Sequence, residues 1–229
     1  PDVFPIQNRF NKIFQLVAAR IRSLPRTPGV VKLVDFLTTP RRIGAYLKGY
    51  EDFDHPGTWK LLDRNPESPD IFHCHNLHGG YFDLRALPHL SRQIPTILTL
   101  HDAWLLSGHC AHSFDCERWK TGCGNCPDLT IYPAIRRDAT AYNWQLKADI
   151  YRKSRLYVVT PCRWLMDKVE ESMLEPGIVA SRVIPNGVDL GIFHPADRAE
   201  ARRELGLPHD AKILLFAANG IRKNIWKDY

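Results

Sequence analysis

The sequence predicts an α/β fold built on a doubly wound, mainly parallel sheet. Short apolar runs of strand length alternate along the chain with segments of helical periodicity, as is typical of parallel sheets flanked by helices on both faces. With 229 residues, 44% of them hydrophobic, the chain can fill one such domain and begin a second. We expect one domain at 1–185, an interdomain segment at 186–210 and the first strand of a second domain within 211–229.

The individual elements follow from the local residue pattern. Apolar runs predict strands at residues 70–75, 94–100, 155–160, 182–185 and 212–216. Helical periodicity predicts helices at residues 82–92, 141–153, 163–173 and 198–205. The last of these helices has capping-box residues, Asp197 and Glu200, at its start and Gly206 just after its end.

A further helix, at residues 10–21, is predicted to be amphipathic with a basic face. It either packs on the sheet as a surface helix or presents its basic face to a membrane surface or an acidic acceptor. The formal net charge of +6 favours anionic partners, such as a nucleotide diphosphate or an anionic lipid head group. That excess is modest for a nucleic-acid-binding protein and no nucleic-acid-binding motif accompanies it, so no nucleic-acid partner is expected.

The chain is expected to be cytoplasmic, because its N-terminal stretch lacks the apolar segment and cleavage site of a signal peptide. No window approaches the roughly eighteen consecutive apolar residues of a membrane span. Peripheral contact at the inner face of the cytoplasmic membrane is a further expectation, based on the basic helix.

Histidines and glycines follow the strand predicted at 70–75. His75, His78, Gly79 and Gly80 form a loop in which imidazoles and exposed backbone amides could bind a hydroxyl-rich acceptor. The same loop could instead be ordinary hydrogen-bonded structure or part of a metal site. We assign these four residues to acceptor binding.

His101 and Asp102 follow the strand predicted at 94–100. A histidine at the end of a parallel strand can hydrogen-bond a sugar hydroxyl or exchange a proton near neutral pH. Asp102 could orient His101, but adjacent strand residues point to opposite faces, which favours a contact between Asp102 and local backbone. His101 is therefore our candidate catalytic residue.

Four cysteines lie close together in a loop that also contains tryptophan: Cys110, Cys116, Cys123 and Cys126. Their density and the two-residue spacing of the last pair match a structural zinc site, with His109 and His112 as spare ligands. Disulfides and unliganded thiols remain alternatives, although disulfides are rare in cytoplasmic proteins.

Basic residues follow the strand predicted at 212–216. Arg222 and Lys223 would lie beside the start of the next helix, where cations can stabilise a departing diphosphate without a metal ion. The alternative is a solvated basic turn. Another polar cluster, which includes Asn186 and Gly187, follows the strand predicted at 182–185.

Taken together, these motifs resemble the family 4 retaining glycosyltransferases, in particular the bacterial members of exopolysaccharide and capsule pathways that have a cysteine-rich loop. The resemblance covers about residues 70–229. The most specific motifs are Thr99-Leu-His-Asp-Ala-Trp104, Ser107-Gly-His-Cys110, Cys116-Glu-Arg-Trp119 and Cys123-Gly-Asn-Cys-Pro127.

The resemblance implies the two-domain GT-B fold, with an acceptor-side Rossmann-like domain followed by a donor-side Rossmann-like domain. His101 matches the family's histidine near the transferred sugar, Asn186 and Gly187 match the interdomain turn, and Lys223 matches the lysine that contacts the donor diphosphate. Arg222 takes the place of the family's arginine, because the usual Gly-Arg is absent here. No cofactor would be required for catalysis.

The same resemblance implies that both ends of the family's pattern are missing from this chain. The first strand of the acceptor domain would precede Pro1, and the acidic Glu-x7-Glu element that holds the donor would follow Tyr229. The chain by itself is therefore expected to be inactive.

The function predicted on this basis is transfer of a sugar from a nucleoside-diphosphate sugar to a glycan or lipid-linked acceptor, with retention, in polysaccharide biosynthesis. One alternative is a zinc-stabilised glycan- or nucleic-acid-binding module without catalysis. A second is a zinc hydrolase that uses His73, His75, His101 and Asp102, which would need an open metal position.

Overall fold

The computed structural model describes residues 40–64 and 69–217 of the chain. The chain divides into two compact units, one ending at Asn186 and the other beginning at Gly187, and each is described by itself. The helix predicted at residues 10–21 lies outside the described residues.

A four-stranded parallel sheet organises the first unit. The strands are β1 (Phe72–His75), β2 (Thr96–Thr99), β3 (Leu156–Thr160) and β4 (Ile178–Val183). Each strand pairs in parallel with the strand that precedes it in the chain, so the spatial order is β1-β2-β3-β4. This confirms the predicted parallel α/β fold. The reversal of strand order that makes a sheet doubly wound does not occur among these four described strands.

Five α-helices lie in the described ranges. They are α1 (Pro40–Lys48), α2 (Leu87–Gln93), α3 (Thr140–Tyr151), α4 (Arg163–Glu170) and α5 (Arg198–Glu204). Short 3-10 helices occur at Pro56–Lys60, Leu62–Arg64, Leu84–Ala86, Trp104–Leu106, Arg118–Lys120 and Glu175–Gly177. The four helices predicted downstream of residue 80 are confirmed, and the first of them begins as the 3-10 turn Leu84–Ala86 before it continues as α2.

The core lies on one face of the sheet. Cys74, Leu98 and Val158 align across β1, β2 and β3 and are buried, as expected for alternate residues on one side of neighbouring strands. On the opposite face, His73 and Tyr157 are exposed. The sequence predicts helices on both faces, but within the described ranges only one face is closely covered.

Helix α5, in the second unit, begins and ends as its sequence predicts. The Asp197 side chain accepts a hydrogen bond of 2.8 Å from the backbone N–H of Glu200, which caps the first turn. Gly206 follows the helix with a φ of 63°, a conformation that favours glycine, and thereby ends it.

The fourth strand is misplaced in the sequence-based prediction. It occupies Ile178–Val183 rather than residues 182–185, and the register of its pairing shifts between Leu156 and Tyr157 of β3. Most of its side chains are exposed. The strand therefore lacks the continuous apolar run that marks the buried strands, so the pattern identified only its end.

The strand predicted at residues 212–216 is not formed. Residues 211–217 have no regular secondary structure, and Leu214 and Leu215 are 100% and 89% exposed. A strand is stable only when a neighbouring strand satisfies its backbone groups, and none pairs with this segment among the described residues. The segment is apolar, but no described strand lies beside it to pair with its backbone groups.

Candidate functional site

Two predicted site histidines meet at the carboxyl ends of β1 and β2. His75 ends β1 and lies opposite Thr99, the last residue of β2. His101 is two residues further along, so its side chain lies on the same face as that of Thr99. The Nδ1 atom of His75 lies 2.9 Å from Nε2 of His101, a hydrogen bond in which one ring donates and the other accepts. Both side chains are exposed.

A third histidine extends this group along β1. The ring of His73 lies 4.3 Å from that of His75, and its Nε2 atom is 2.8 Å from the Thr99 hydroxyl. Partial burial, and then the neighbouring His73 and His101, lower the pKa of His75 from its usual value. His75 is therefore neutral at pH 7 and can both donate and accept hydrogen bonds. We refer to His73, His75 and His101 as the histidine edge.

Asp102 makes its hydrogen bonds to residues other than His101 and does not orient it. One of its carboxylate oxygens accepts a 2.9 Å hydrogen bond from the Trp104 backbone N–H, the local contact that the sequence favours. The other oxygen lies 2.9 Å from Nε2 of His78, a pairing that sequence spacing did not reveal. The Nδ1 atom of His78 lies 3.4 Å from the Tyr132 hydroxyl. His78 is thus held by a carboxylate on one side and a phenol on the other.

The loop that follows β1, residues 76–80, has the backbone conformation expected from its glycines. Gly79 and Gly80 have φ angles of 106° and 74°, and no atom lies within 4 Å of the position that a Cβ would take at either residue. Tyr81 donates its hydroxyl proton to the carbonyl oxygens of His75 and Asn76, at 2.9 and 3.0 Å. The loop is therefore fixed at its start and open at its glycines.

A cavity of about 610 Å³ lies beside β1. His73, His75 and Tyr81 line one side of it, and Arg42 and His55 contribute polar atoms from the segment before β1. The guanidinium of Arg42 donates to Nδ1 of His55 at 2.7 Å. Mixed polar and apolar walls of this kind suit a ligand with many hydroxyl groups.

The residues directly after Asp102 are buried, and a lysine from α3 holds them. The Lys147 ammonium donates to the carbonyl oxygens of Trp104 and Ser107 at 2.8 and 3.0 Å, and to the Glu51 carboxylate at 3.0 Å. It also lies 3.8 Å from the centre of the Trp104 ring. Burial raises the pKa of Glu51 to about 7 and lowers that of Lys147, while their mutual attraction opposes both shifts. Sequence analysis missed this pair, which joins residues far apart in the chain.

The four clustered cysteines lie near one another as thiols. Cys110, Cys116, Cys123 and Cys126 all line one small cavity, of about 20 Å³, and none forms a disulfide. Burial raises the pKa of Cys123 to about 11, so without a ligand this thiol is protonated at neutral pH. No group of three or more His, Cys, Asp or Glu side chains in the described ranges is already arranged to hold a metal ion. The zinc site thus stays a prediction.

The predicted donor-binding residues are placed only in part. Asn186 ends the first unit and Gly187 begins the second, and both are exposed and outside regular secondary structure. Arg222 and Lys223 lie outside the described residues. Their assignment to the donor diphosphate stays a prediction.

The residue set of the alternative zinc hydrolase is not brought together. Asp102 pairs with His78 instead, and in the described ranges His73, His75, His101 and Asp102 do not form a group that could hold a metal ion. Residues 40–64 and 69–217 contain no helix that is long and apolar enough to cross a membrane.

Comparison with known proteins finds several similar proteins, and three of them cover different lengths of the chain. The protein WcaC of Escherichia coli (strain K12), whose name describes a glycosyl transferase of colanic acid biosynthesis, is 30% identical over 156 residues, which are 63% of this chain and 38% of WcaC. D-inositol 3-phosphate glycosyltransferase 1 of Catenulispora acidiphila is 29% identical over 204 residues, 84% of this chain and 41% of that protein. A D-inositol 3-phosphate glycosyltransferase of a Nocardioides species is 63% identical over 35 residues, 15% of this chain and 8% of that protein.

The first two relatives are much longer than the matched region, so the chain spans about two fifths of their length. No solved structure matches the chain. The family model for Glycosyltransferase Family 4 matches residues 17–191, which include β1 to β4 and the histidine edge. The chain therefore belongs to glycosyltransferase family 4.

Proposed function

We propose that the protein containing this chain transfers a sugar from a nucleoside-diphosphate sugar to a hydroxyl of a glycan or lipid-linked acceptor, with retention at the anomeric carbon, in polysaccharide biosynthesis. The observation that carries the proposal is the histidine edge, where exposed imidazoles meet at the ends of two parallel strands. Ligands of parallel α/β sheets bind at such strand ends.

His101 is proposed as the catalytic residue, in contact with the transferred sugar. Its Nε2 atom is engaged with His75, and because the side chain is exposed its other ring nitrogen is accessible to a sugar hydroxyl. His75 fixes the orientation of the His101 ring through this hydrogen bond. An oriented imidazole can hydrogen-bond a sugar hydroxyl or exchange a proton with it.

The acceptor is proposed to bind on the β1 side of the histidine edge. His75 and His78 provide imidazole nitrogens, and the open backbone at Gly79 and Gly80 leaves room for a hydroxyl to approach the amides. The adjacent cavity of about 610 Å³ is large enough for a sugar unit and has polar atoms on both sides. The name of WcaC supports a polysaccharide acceptor.

The donor is proposed to bind with its diphosphate near Arg222 and Lys223, with Asn186 and Gly187 at the junction between the two units. Fixed cations can neutralise a departing diphosphate, so the reaction would need no divalent metal ion. The names of the relatives as glycosyltransferases and the chain's net charge of +6 are consistent with an anionic sugar donor.

The test is a transfer assay on a protein that carries this chain together with the rest of the length found in its relatives. UDP- and GDP-linked hexoses would be offered with a lipid-linked glycan, without added divalent metal, and the product's anomeric configuration read by NMR. Transfer with retention is expected. Inversion, or strict dependence on a divalent ion, would contradict the proposed mechanism. Acceptor binding without any transfer would favour the non-catalytic binding module.

A further inference from the structure

The cysteine loop, residues 107–127, brings five metal-ligand side chains to one place. Cys110, Cys116, Cys123, Cys126 and His109 all line the same cavity. Its volume of about 20 Å³ is close to the roughly 10–15 Å³ that one water molecule needs, so the space matches a single small ion rather than an organic ligand.

His109 is oriented as a metal ligand would be. It is 1% exposed, and its Nδ1 atom lies 3.0 Å from the Pro133 carbonyl oxygen, so Nδ1 must carry the proton. The lone pair is therefore on Nε2, which lies 3.4 Å from the sulfur of Cys126. Two ligands of one tetrahedral zinc ion, a thiolate sulfur and an imidazole nitrogen, would lie about 3.5 Å apart. A histidine ligand also commonly donates its other N–H to a carbonyl, as His109 does.

Backbone hydrogen bonds fix the surroundings of two of the cysteines. The backbone N–H of Gly108 donates to the Cys123 sulfur at 3.3 Å, and the Cys126 backbone N–H donates to the Asp138 carboxylate at 2.7 Å, which fixes the main chain beside a ligand. Trp119 lines the cavity, is 3% exposed, and its indole nitrogen has no hydrogen-bond partner in the described part of the chain. A buried donor without an acceptor is costly, and a thiolate would supply one.

The cysteine loop contains little regular secondary structure. Within residues 107–127, the only helix or strand is the 3-10 turn Arg118–Lys120. Gly122, Gly124 and Asn125 have φ angles of 127°, 124° and 47°, so the chain turns sharply between the last two cysteines. A segment that lacks regular structure but is folded this closely is commonly stabilised by a metal or a disulfide.

We propose that this loop binds one structural zinc ion, with ligands drawn from Cys110, Cys116, Cys123, Cys126 and His109. Zinc fits because it prefers four ligands in a tetrahedral arrangement of sulfur and nitrogen. The sulfurs are not yet gathered around one point. They share one cavity, however, and rotation of their short side chains is the movement that binding requires. A closed site of this kind stabilises the loop after β2 and takes no part in sugar transfer.

The first measurement needs no variant. The purified chain is analysed for metal by plasma mass spectrometry, and its thiols are titrated before and after denaturation. About one zinc per chain is expected, with the clustered thiols protected in the folded protein and reactive after denaturation. Zinc-free protein, or thiols that are missing after denaturation because they have formed disulfides, would overturn the proposal.

Variants then identify the ligands. Cys116→Ser and Cys123→Ser should each lower the zinc content at least tenfold, whereas Cys162→Ser, which removes an exposed thiol outside the loop, should retain it. Replacement of zinc by Co²⁺ gives charge-transfer bands that report thiolate ligation directly. His109→Ala separates a four-thiolate site, which keeps zinc, from a site with three thiolates and His109, which loses it. Zinc retained by every cysteine variant would place the metal elsewhere and refute the site.

Discussion

The residues on the two sides of Asp102 differ in their exposure to solvent. Before it, His101 is exposed and contacts another exposed histidine. After it, residues 103–109 are all buried, and the carbonyl oxygens of Trp104 and Ser107 accept hydrogen bonds from Lys147. Exposed groups at a strand end remain accessible to a ligand, whereas buried groups must be satisfied within the protein. The segment that follows β2 thus supplies both an exposed histidine of the candidate site and the buried, hydrogen-bonded residues next to it.

The largest effect is expected for His101, the exposed residue just before Asp102. His101→Ala should lower the turnover of the complete transferase by roughly 10²–10⁴-fold, the scale for a positioned catalytic group, with little change in nucleotide binding. Steady-state kinetics and nucleotide titration would measure the two separately. His89→Ala, on α2, is the matched control. Equal turnover of the His101→Ala and His89→Ala variants would show that His101 is not part of the active site.

Substitution of Lys147, which holds the buried residues after Asp102, should lower the free energy of unfolding instead. Lys147→Met leaves Glu51 without its counter-charge and removes the ammonium donor from two carbonyl groups, so the free energy of unfolding should fall by about 3–5 kcal/mol. Denaturant titration measures this, with Lys153→Met, an exposed lysine after α3, as the control. If Glu51→Leu combined with Lys147→Met recovers much of the loss, the penalty comes from the unpaired carboxylate. A loss below about 1 kcal/mol would show that the buried contacts contribute little.

The same pair predicts how stability changes with pH. Glu51 ionises near pH 4.5 when unfolded but near pH 7 when folded, because burial raises its pKa. Between these values the folded state holds a proton that the unfolded state has lost, so this group's contribution to the free energy of unfolding falls as the pH rises from about 4.5 to about 7. Denaturant unfolding across this range should therefore show a smaller downward slope for Glu51→Gln than for the unmodified chain. Equal slopes would contradict the raised pKa.

The smallest effect is expected for Asp102, which lies between the exposed and the buried residues. Asp102→Asn keeps an oxygen for the Trp104 N–H but replaces the carboxylate that holds His78. If His78 binds the acceptor as proposed, the KM for the acceptor should rise by about two- to tenfold, the scale of one hydrogen bond, with kcat nearly unchanged. A fall in kcat alone would instead assign Asp102 to the chemical step.

The elements that the sequence predicts well are those whose signal is local. β1 and β2 are short apolar runs with polar residues directly after them, and the capping of α5 depends on residues three positions apart. β4 was misplaced because an outer, largely exposed strand lacks the apolar run. The run at 212–216 predicts a strand because its residues are apolar, but an apolar sequence does not show whether a neighbouring strand is there to pair with it.

The candidate site shows the same limit. The positions of His75 and His101 after their strands could be predicted, and the parallel register then explains why the two rings meet. The links from Asp102 to His78 and from Lys147 to Glu51 join residues that are far apart in the chain, and no spacing rule identifies such partners. A lysine in the middle of a helical pattern reads as a solvent-facing residue until the fold shows what surrounds it.

The order of the strands has a consequence for how the chain acquires its structure. Because β2, β3 and β4 each pair with the described strand that precedes them, each of these strand–helix units finds its docking surface already made by the preceding part of the nascent chain. Contacts between consecutive units are closer in sequence than those of a sheet whose order reverses, which favours rapid, stepwise growth from the ribosome. The exception is Glu51, whose partner on α3 emerges 96 residues later. Until α3 is synthesised, that carboxylate has no counter-ion and is best left in water, so the segment before β1 should be among the last to settle onto the sheet.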